Sequence, residues 1–306
     1  MAIEVHNEEA STSGADKAAA VLEVIFVRFV IYGLLALWLV QLMCGTPTPN
    51  PFPIEAAYTV GALWFVVPFV LIYGLRRNAQ EYGLSTQSSR QSIDLALSAF
   101  PYMILAENAV MMLLITIGWS YLEPQGALVL TASFTLALLL IVRMVSRKYS
   151  SFHDIQIPDN KHSSNVLVIL LLLCLPIGLG IVPGKLSLLL VSTVVWQFVI
   201  SGFGEEVFFR GYIQSRLNAA FGRPYEWKGI RFGAGLFMTA ALFGITHMLN
   251  TANIWLGDFN LAWWWGTFTF VGGLLLGLLR EKTGSVLAPA TLHGLEAVGE
   301  GLALLF

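Results

Sequence analysis

The stretch LSLLLVSTVVWQFVISGFGEEVFFRGYIQSRL, residues 186–217, decides the fold class of this chain. It is apolar over more than the roughly 20 residues that cross a hydrocarbon core, yet Glu205, Glu206 and Arg210 interrupt it. A charged side chain at mid-bilayer costs roughly 2.5–3.5 kcal/mol on insertion scales, so such residues usually face a cavity or a partner. The stretch therefore predicts a membrane helix that carries function.

Eight further apolar runs, each close to the length of a membrane crossing, lie on either side of this stretch. They cover residues 20–43, 57–75, 95–119, 127–145, 166–182, 232–249, 261–279 and 286–306. The run at 166–182 is short and contains Pro176, so eight crossings remain an alternative to nine. Of the 306 residues 56% are hydrophobic and 12% are charged, whereas soluble domains are about 45–50% apolar and about 25% charged. We therefore predict an all-α, polytopic bundle of eight or nine transmembrane helices.

Lysine and arginine residues are concentrated in alternate loops of this predicted bundle. They occur at 76–90, 143–161, 216–231 and 280–282, and they are almost absent around Pro47, Glu123, Lys185 and Asp258. Because short cytoplasmic loops carry the excess of basic residues, the N-terminus is predicted to be cytoplasmic. Nine crossings then leave the C-terminus outside.

Composition divides the chain into three parts. Residues 1–19 are polar, acidic and small, without the basic region of a signal peptide, which predicts a disordered tail. Residues 20–185 are expected to form N-terminal transmembrane helices, and residues 186–306 a transmembrane core that holds most of the ionisable residues within spans. The net charge of −2 and the lack of a basic tract give no indication of a nucleic-acid partner.

The charged residues of the core suggest a division of roles. Successive side chains on a helix point about 100° apart, so Glu205 and Glu206 face different directions. Arg210 lies four residues after Glu206, the order that favours an ion pair along a helix. Glu206 would then be structural and Glu205 free to act as a base. The alternative is that all three form one charge-neutral packing cluster at a helix end.

Two histidines are predicted to lie at the same depth in the bilayer as Glu205. Glu205 lies about twenty residues before the middle of the basic turn at 222–229, and His247 slightly more than twenty after it. At 1.5 Å per residue both are roughly 30 Å from the turn along antiparallel helices. His293 lies about ten residues into the last run and enters from the same side. We expect the three side chains to converge.

The order of these residues resembles a known family. The stretch EEVFFRGY at 205–212, then Phe243 followed by His247, and then His293 look like the motifs of the CAAX protease and bacteriocin-processing (CPBP, Abi-type) family of intramembrane peptidases. The resemblance covers roughly residues 186–306 and implies a catalytic core with endopeptidase activity on a membrane-associated protein or peptide. It also implies an integral protein of a prokaryotic inner membrane.

The resemblance assigns a role to each of these residues. Glu205, oriented with His247, would activate a water molecule, and His293 would donate a hydrogen bond to the tetrahedral oxygen. Glu206, Arg210 and Phe243 would support them. Glutamate with two histidines is also a zinc-binding combination, and members of the family are described both as metalloproteases and as glutamate-dependent enzymes. Because His-Glu-x-x-His is absent, we favour catalysis without a metal or other cofactor and leave zinc open.

The last motif departs from the family pattern. Asn or Asp usually stands four residues after the last histidine, where this chain has Ala297. Glu296 and Glu300 lie on roughly the same helix face as His293 and could supply the missing polar group. A catalytically inactive immunity or scaffold protein of the same fold is the alternative.

Glu107 and Asn108 lie outside these motifs, in the middle of the third run. A polar pair within a span predicts hydrogen bonding between helices, or else a lining for a substrate or water path. Together with Glu205 and His247, Glu107 could instead form the proton relay of a transporter, which is the competing function from another class.

Overall fold

The chain folds into ten helices and a small sheet in a computed structural model that describes residues 4, 5, 12–252 and 257–305. Helices α1–α6 cover Gly14–Cys44, Ile54–Gly74, Ser89–Thr116, Pro124–Lys148, Asp159–Ile181 and Leu188–Phe221. Helices α7–α10 cover Ala234–Met248, Trp263–Thr283, Leu287–Gly294 and Ala297–Ala303. Short 3-10 turns occur at Phe152–Asp154 and Leu249–Thr251. The predicted all-α, polytopic fold is confirmed.

Helices α1–α6 are each long and apolar enough to cross a membrane. Each of the first six predicted runs lies mostly within one of them. Helix α5 continues through Pro176 over 23 residues, so this proline does not break the fifth run. The seventh and eighth runs correspond to α7 and α8, and the ninth is divided between α9 and α10.

The N-terminal segment differs from the predicted tail. Helix α1 begins at Gly14, because Ser13 and Asp16 form a reciprocal capping box. The predicted disordered tail extended to Ala19. Strand β1, Glu4–Val5, pairs antiparallel with β2, Tyr225–Trp227, which pairs with β3, Ile230–Phe232. The rest of the predicted tail, residues 1–3 and 6–11, lies outside the described residues.

Two apolar clusters join the N-terminal helices to the C-terminal ones. One cluster packs α1 and α2 against α6, with Phe243 of α7 at its edge. The other packs α3 and α4 against α8 and α9. The two glutamates of α6 therefore lie in a helix that is covered from the N-terminal half.

Two carboxylates, Glu23 and Asp94, link neighbouring helices. Glu23 of α1 accepts hydrogen bonds from Tyr212 (2.6 Å) and Arg216 (2.7 Å) of α6 and pairs with Arg77 (2.7 Å). Asp94 of α3 accepts from the Tyr149 hydroxyl at 2.7 Å. Burial raises the pKa of this tyrosine, and the adjacent Asp94 raises it further, so the hydroxyl stays protonated as the donor. The Glu23 contacts fix α1 relative to α6, which carries the paired glutamates, and the Asp94 contact fixes α3 relative to the end of α4.

Candidate active site

The middle of α6 is not a regular α-helix. Two π-helical segments, Trp196–Glu205 and Val207–Gln214, meet at the paired glutamates. Segments with this wider hydrogen-bonding pattern occur frequently at functional sites. The predicted ion pair is present nevertheless: Nη1 of Arg210 lies 2.6 Å from Oε1 of Glu206, and both side chains are fully buried. Nη2 of Arg210 also donates to the carbonyl of Gly273 at 3.2 Å.

His293 contacts the second glutamate of the pair. Its Nδ1 lies 3.0 Å from the same Oε1 of Glu206 that receives Arg210. A carboxylate oxygen bonded to an arginine acts as an acceptor, so Nδ1 is the protonated donor. The other ring nitrogen, Nε2, lies 3.5 Å from Oγ of Ser201 and 3.7 Å from Oε2 of Glu296. Glu206 therefore orients His293 in addition to its pairing with Arg210.

Two glycines allow this contact. A Cβ atom on Gly202 of α6 would collide with the backbone of Gly294, and one on Gly294 would lie 2.9 Å from the carbonyl oxygen of Phe198. The two helices thus cross in backbone contact, three residues before Glu205 and one residue after His293. Small residues at a membrane helix crossing permit this close approach.

Glu205 has a buried oxygen that no described group satisfies. Its Oε2 has no hydrogen-bond partner within the part of the chain that the structure describes. The charges that act on it are those of His293, Glu206, Arg210 and Arg28. A buried, unpaired carboxylate oxygen is costly and calls for a functional explanation.

His247 and His293 both lie near the ring of Phe243. Its Nδ1 lies 2.9 Å from the carbonyl oxygen of Phe243, which can only accept, so Nε2 is left as an acceptor. The ring of Phe243 is 4.5 Å from that of His247 and 6.1 Å from that of His293, centroid to centroid. No hydrogen bond joins Glu205 to His247 among the residues described. His293 therefore lies near both Phe243 and the paired glutamates, and His247 lies against Phe243.

Arg28 of α1 is part of this region, and sequence reasoning missed it. Its Nε donates to Oγ1 of Thr246 at 3.2 Å, and its guanidinium lies 5.0 Å from the Tyr32 ring and 5.2 Å from the Trp64 ring. Its charge acts on Glu205, but no described carboxylate lies within ion-pair distance of it. An arginine inside the first apolar run is the same kind of signal that singled out Glu205.

The third helix adds Glu107 and Asn108, which lie in a π-helical segment, Leu105–Ala109. Oε2 of Glu107 is buried with no partner among the described residues, and the charges of Glu107 and Glu296 act on each other. The Asn108 side chain occupies the space where a Cβ of Gly299 would stand. Asn108 thus packs α3 closely against α10, and hydrogen bonding between helices by this pair stays a prediction.

The described side chains do not form a metal-binding cluster. Within the described ranges no group of three His, Cys, Asp or Glu side chains could hold an ion. Nδ1 of His293 is engaged by Glu206 and Nδ1 of His247 by a carbonyl, so Nε2 is the ring nitrogen left for another contact in each histidine. The steps proposed below are written with the chain's own side chains.

Comparison with known proteins gives a match over the C-terminal part. Residues 187–298 match the family model described as Type II CAAX prenyl endopeptidase Rce1-like. This region is similar to that family of membrane proteases. No curated protein and no solved structure matches the chain. Within the matched region lie Glu205, His247, His293 and Glu296, whereas Arg28 and Glu107 come from helices outside the match.

Proposed function

We propose that this protein is an intramembrane endopeptidase that uses Glu205 to activate water. The observation that carries the proposal is the buried Oε2 of Glu205, which has no partner among the described residues and lies beside the His293–Glu206–Arg210 chain. Peptide hydrolysis needs a base for water and donors for the developing oxyanion. The site offers both within the region that matches the protease family.

The proposed first step is attack by water between Glu205 and His247. Oε2 of Glu205 takes a proton from the water, and Nε2 of His247 accepts a hydrogen bond that orients it. The water oxygen bonds to the carbonyl carbon, and the carbonyl oxygen becomes an oxyanion. Nε2–H of His293, protonated on both nitrogens beside Glu206, donates to this oxyanion. The C–N bond then breaks, and Glu205 returns its proton to the leaving amine.

The substrate is proposed from the family's name and from the location of the site. The matched model describes a prenyl endopeptidase, and helices α1–α6 indicate a membrane setting. We propose a membrane-associated protein or peptide, with a prenylated C-terminal CAAX peptide as the first substrate to test. Bacteriocin leaders and C-terminal sorting segments are the other substrates to compare. We place the enzyme in a prokaryotic inner membrane.

Substitution of Glu205 tests this function. In proteoliposomes, E205Q should abolish cleavage of a prenylated reporter peptide while the circular dichroism spectrum and melting temperature stay near those of the wild type. The matched control is E55Q, since Glu55 is exposed at the start of α2. Full cleavage by E205Q would overturn the proposal. Ion-coupled uptake that E205Q removes would identify a carrier, and intact biological activity in E205Q would identify a scaffold.

A further inference from the structure

The hydroxyl group of Ser201 lies beside the proposed oxyanion histidine. Oγ of Ser201 is 3.5 Å from Nε2 of His293, the ring nitrogen that Glu206 leaves free. Ser201 precedes Gly202 in α6, His293 precedes Gly294 in α9, and these two glycines lie at the point where the helices cross in backbone contact. The crossing therefore holds the hydroxyl and the imidazole close to each other.

The proton of this hydroxyl is not used by the helix. Serine and threonine hydroxyls inside helices can bond to the carbonyl four residues back, as Oγ1 of Thr246 does to that of Leu242 at 2.9 Å. Oγ of Ser201 makes no such bond, and His293 is its only hydrogen-bond partner among the described residues. In the mechanism proposed above Nε2 of His293 carries a proton, so the hydroxyl accepts from it and keeps its own proton for another acceptor.

The other side chains near Nε2 do not offer a neutral donor. Ala297, four residues after His293, has no polar side chain. Oε2 of Glu296 lies 3.7 Å from Nε2, beyond hydrogen-bond distance, and an ionised carboxylate can only accept. The hydroxyl of Ser201 is thus the neutral side-chain donor that contacts Nε2 in the part of the chain that the structure describes.

Ser201 also lies on the same side of α6 as the proposed base. Glu205 follows it by four residues, which is close to one helical turn. Both residues are half-buried, whereas Gly202 and Glu206 between and beside them are buried. A peptide carbonyl that reaches a water molecule at Glu205 therefore has the hydroxyl of Ser201 one turn away.

We propose that Ser201 is a catalytic residue that donates a second hydrogen bond to the tetrahedral oxyanion, beside Nε2–H of His293. In the free enzyme Nε2–H points to Oγ. When the carbonyl oxygen enters, Nε2–H and Oγ–H both donate to it, and the hydrogen bond between the two side chains is given up. No proton leaves Ser201, and no covalent bond forms to its oxygen. Two donors from crossing helices then stabilise the developing charge.

Because the inference rests on the proposed peptidase function, its first test uses the same reporter assay with substitutions at position 201. S201A removes the donor and should lower kcat about 100-fold with KM little changed, the order found when one oxyanion donor is deleted. S201T keeps a hydroxyl and should stay within about tenfold of the wild type. A kcat of S201A within about threefold of the wild type, or equal losses in S201A and S201T, would overturn the inference.

The matched control is S192A. It deletes a hydroxyl of the same helix that contacts Tyr58 instead of a residue of the site, and it should cleave normally. The melting temperatures of S201A and S192A should both stay near that of the wild type. A loss of cleavage in S192A equal to that in S201A would show that any hydroxyl of α6 serves packing, and would overturn the inference.

Inhibitor binding separates a direct donor from a residue that acts only through His293. A phosphinate analogue of the reporter carries an anionic oxygen where the oxyanion forms, and a reduced-amide analogue has no oxygen there. S201A should weaken binding of the phosphinate at least tenfold in the wild type and again in the H293A background, and leave the reduced amide unaffected. No further loss in H293A would overturn the direct contact. Equal affinity of the wild type for both analogues would instead count against the peptidase function.

A covalent probe distinguishes the donor from a nucleophile. Glu206, His293 and Ser201 stand in the order of an acid–histidine–serine triad, in which the hydroxyl attacks the carbonyl. The proposal requires no such attack, because Nε2 already carries a proton and cannot take another from Oγ. A fluorophosphonate probe should therefore leave Ser201 unmodified in mass spectra of the purified protein. An adduct at Ser201 would overturn the donor role.

Discussion

His293 donates from Nδ1 to Oε1 of Glu206 at 3.0 Å, and that same oxygen is 2.6 Å from Arg210. The second glutamate of the pair is thus the link between a buried cation and the proposed oxyanion histidine. The other oxygen of Glu206, Oε2, is buried without a described partner, so Oε1 carries both contacts. Glu206 thereby sets the direction of Nε2 in His293 without a proposed contact to the substrate.

We predict that E206Q loses both stability and activity. It leaves Arg210 buried with its charge uncompensated, which costs about 3–5 kcal/mol in comparable buried pairs. The melting temperature in detergent should therefore fall, and cleavage should fall at least 100-fold.

The double variant E206Q/R210M separates these two effects. It removes the uncompensated charge as well, so it should recover much of the melting temperature without recovering cleavage, because His293 still lacks its carboxylate. Recovery of cleavage together with stability would show that Glu206 has no orienting role.

We predict that G202A is strongly impaired. A methyl group at this position would meet the backbone of Gly294, so α6 and α9 would have to move apart and His293 would withdraw from Glu206. Cleavage should fall by about 100-fold, since a misplacement of about 1 Å can cost that much. The matched control is G178A in α5, where an added Cβ meets nothing within 4 Å. Equal effects of the two substitutions on cleavage would contradict the crossing.

The sequence predicts the depth of the site along the membrane helices but not its local geometry. Equal distances from one turn are a property of chain length, and they predict that Glu205, His247 and His293 lie at one depth. Three π-helical segments contain Arg28, Glu107 and Glu205. These segments follow from tertiary packing, and no residue pattern predicts them. The regular spacing of 100° predicts that Glu205 and Glu206 face different directions. It does not show that Glu206 contacts both Arg210 and His293.

The sequence does not predict the break between α9 and α10 either. The last run is mostly apolar apart from His293, Glu296 and Glu300, and glycines such as Gly294 and Gly299 do not by themselves show where the helix ends. The structure shows that each glycine is used for a close contact, Gly294 with α6 and Gly299 with Asn108. Contacts between segments far apart in sequence therefore decided where Glu296 points, and a single sequence does not record them.

We predict that R28Q lowers cleavage about tenfold or more while leaving the fold intact. Arg28 holds Thr246, the neighbour of His247, and its charge acts on Glu205. R28K keeps the charge but loses the guanidinium fork, so it should restore only part of the rate. The exposed Arg143 of α4 provides the control R143Q, which should cleave normally. A wild-type rate in R28Q would show that the first helix contributes packing alone.

We predict that chelation does not abolish cleavage. The proposed steps use Glu205, His247 and His293 without a metal. Within the described ranges no three candidate ligands could hold an ion. Purified enzyme dialysed against EDTA, and separately treated with 1,10-phenanthroline, should keep its rate on the prenylated reporter, and elemental analysis should find less than one zinc per chain. A rate lost on chelation and regained with zinc would show that the histidines rearrange around a metal, and the water would then be activated by that ion instead of by Glu205 alone.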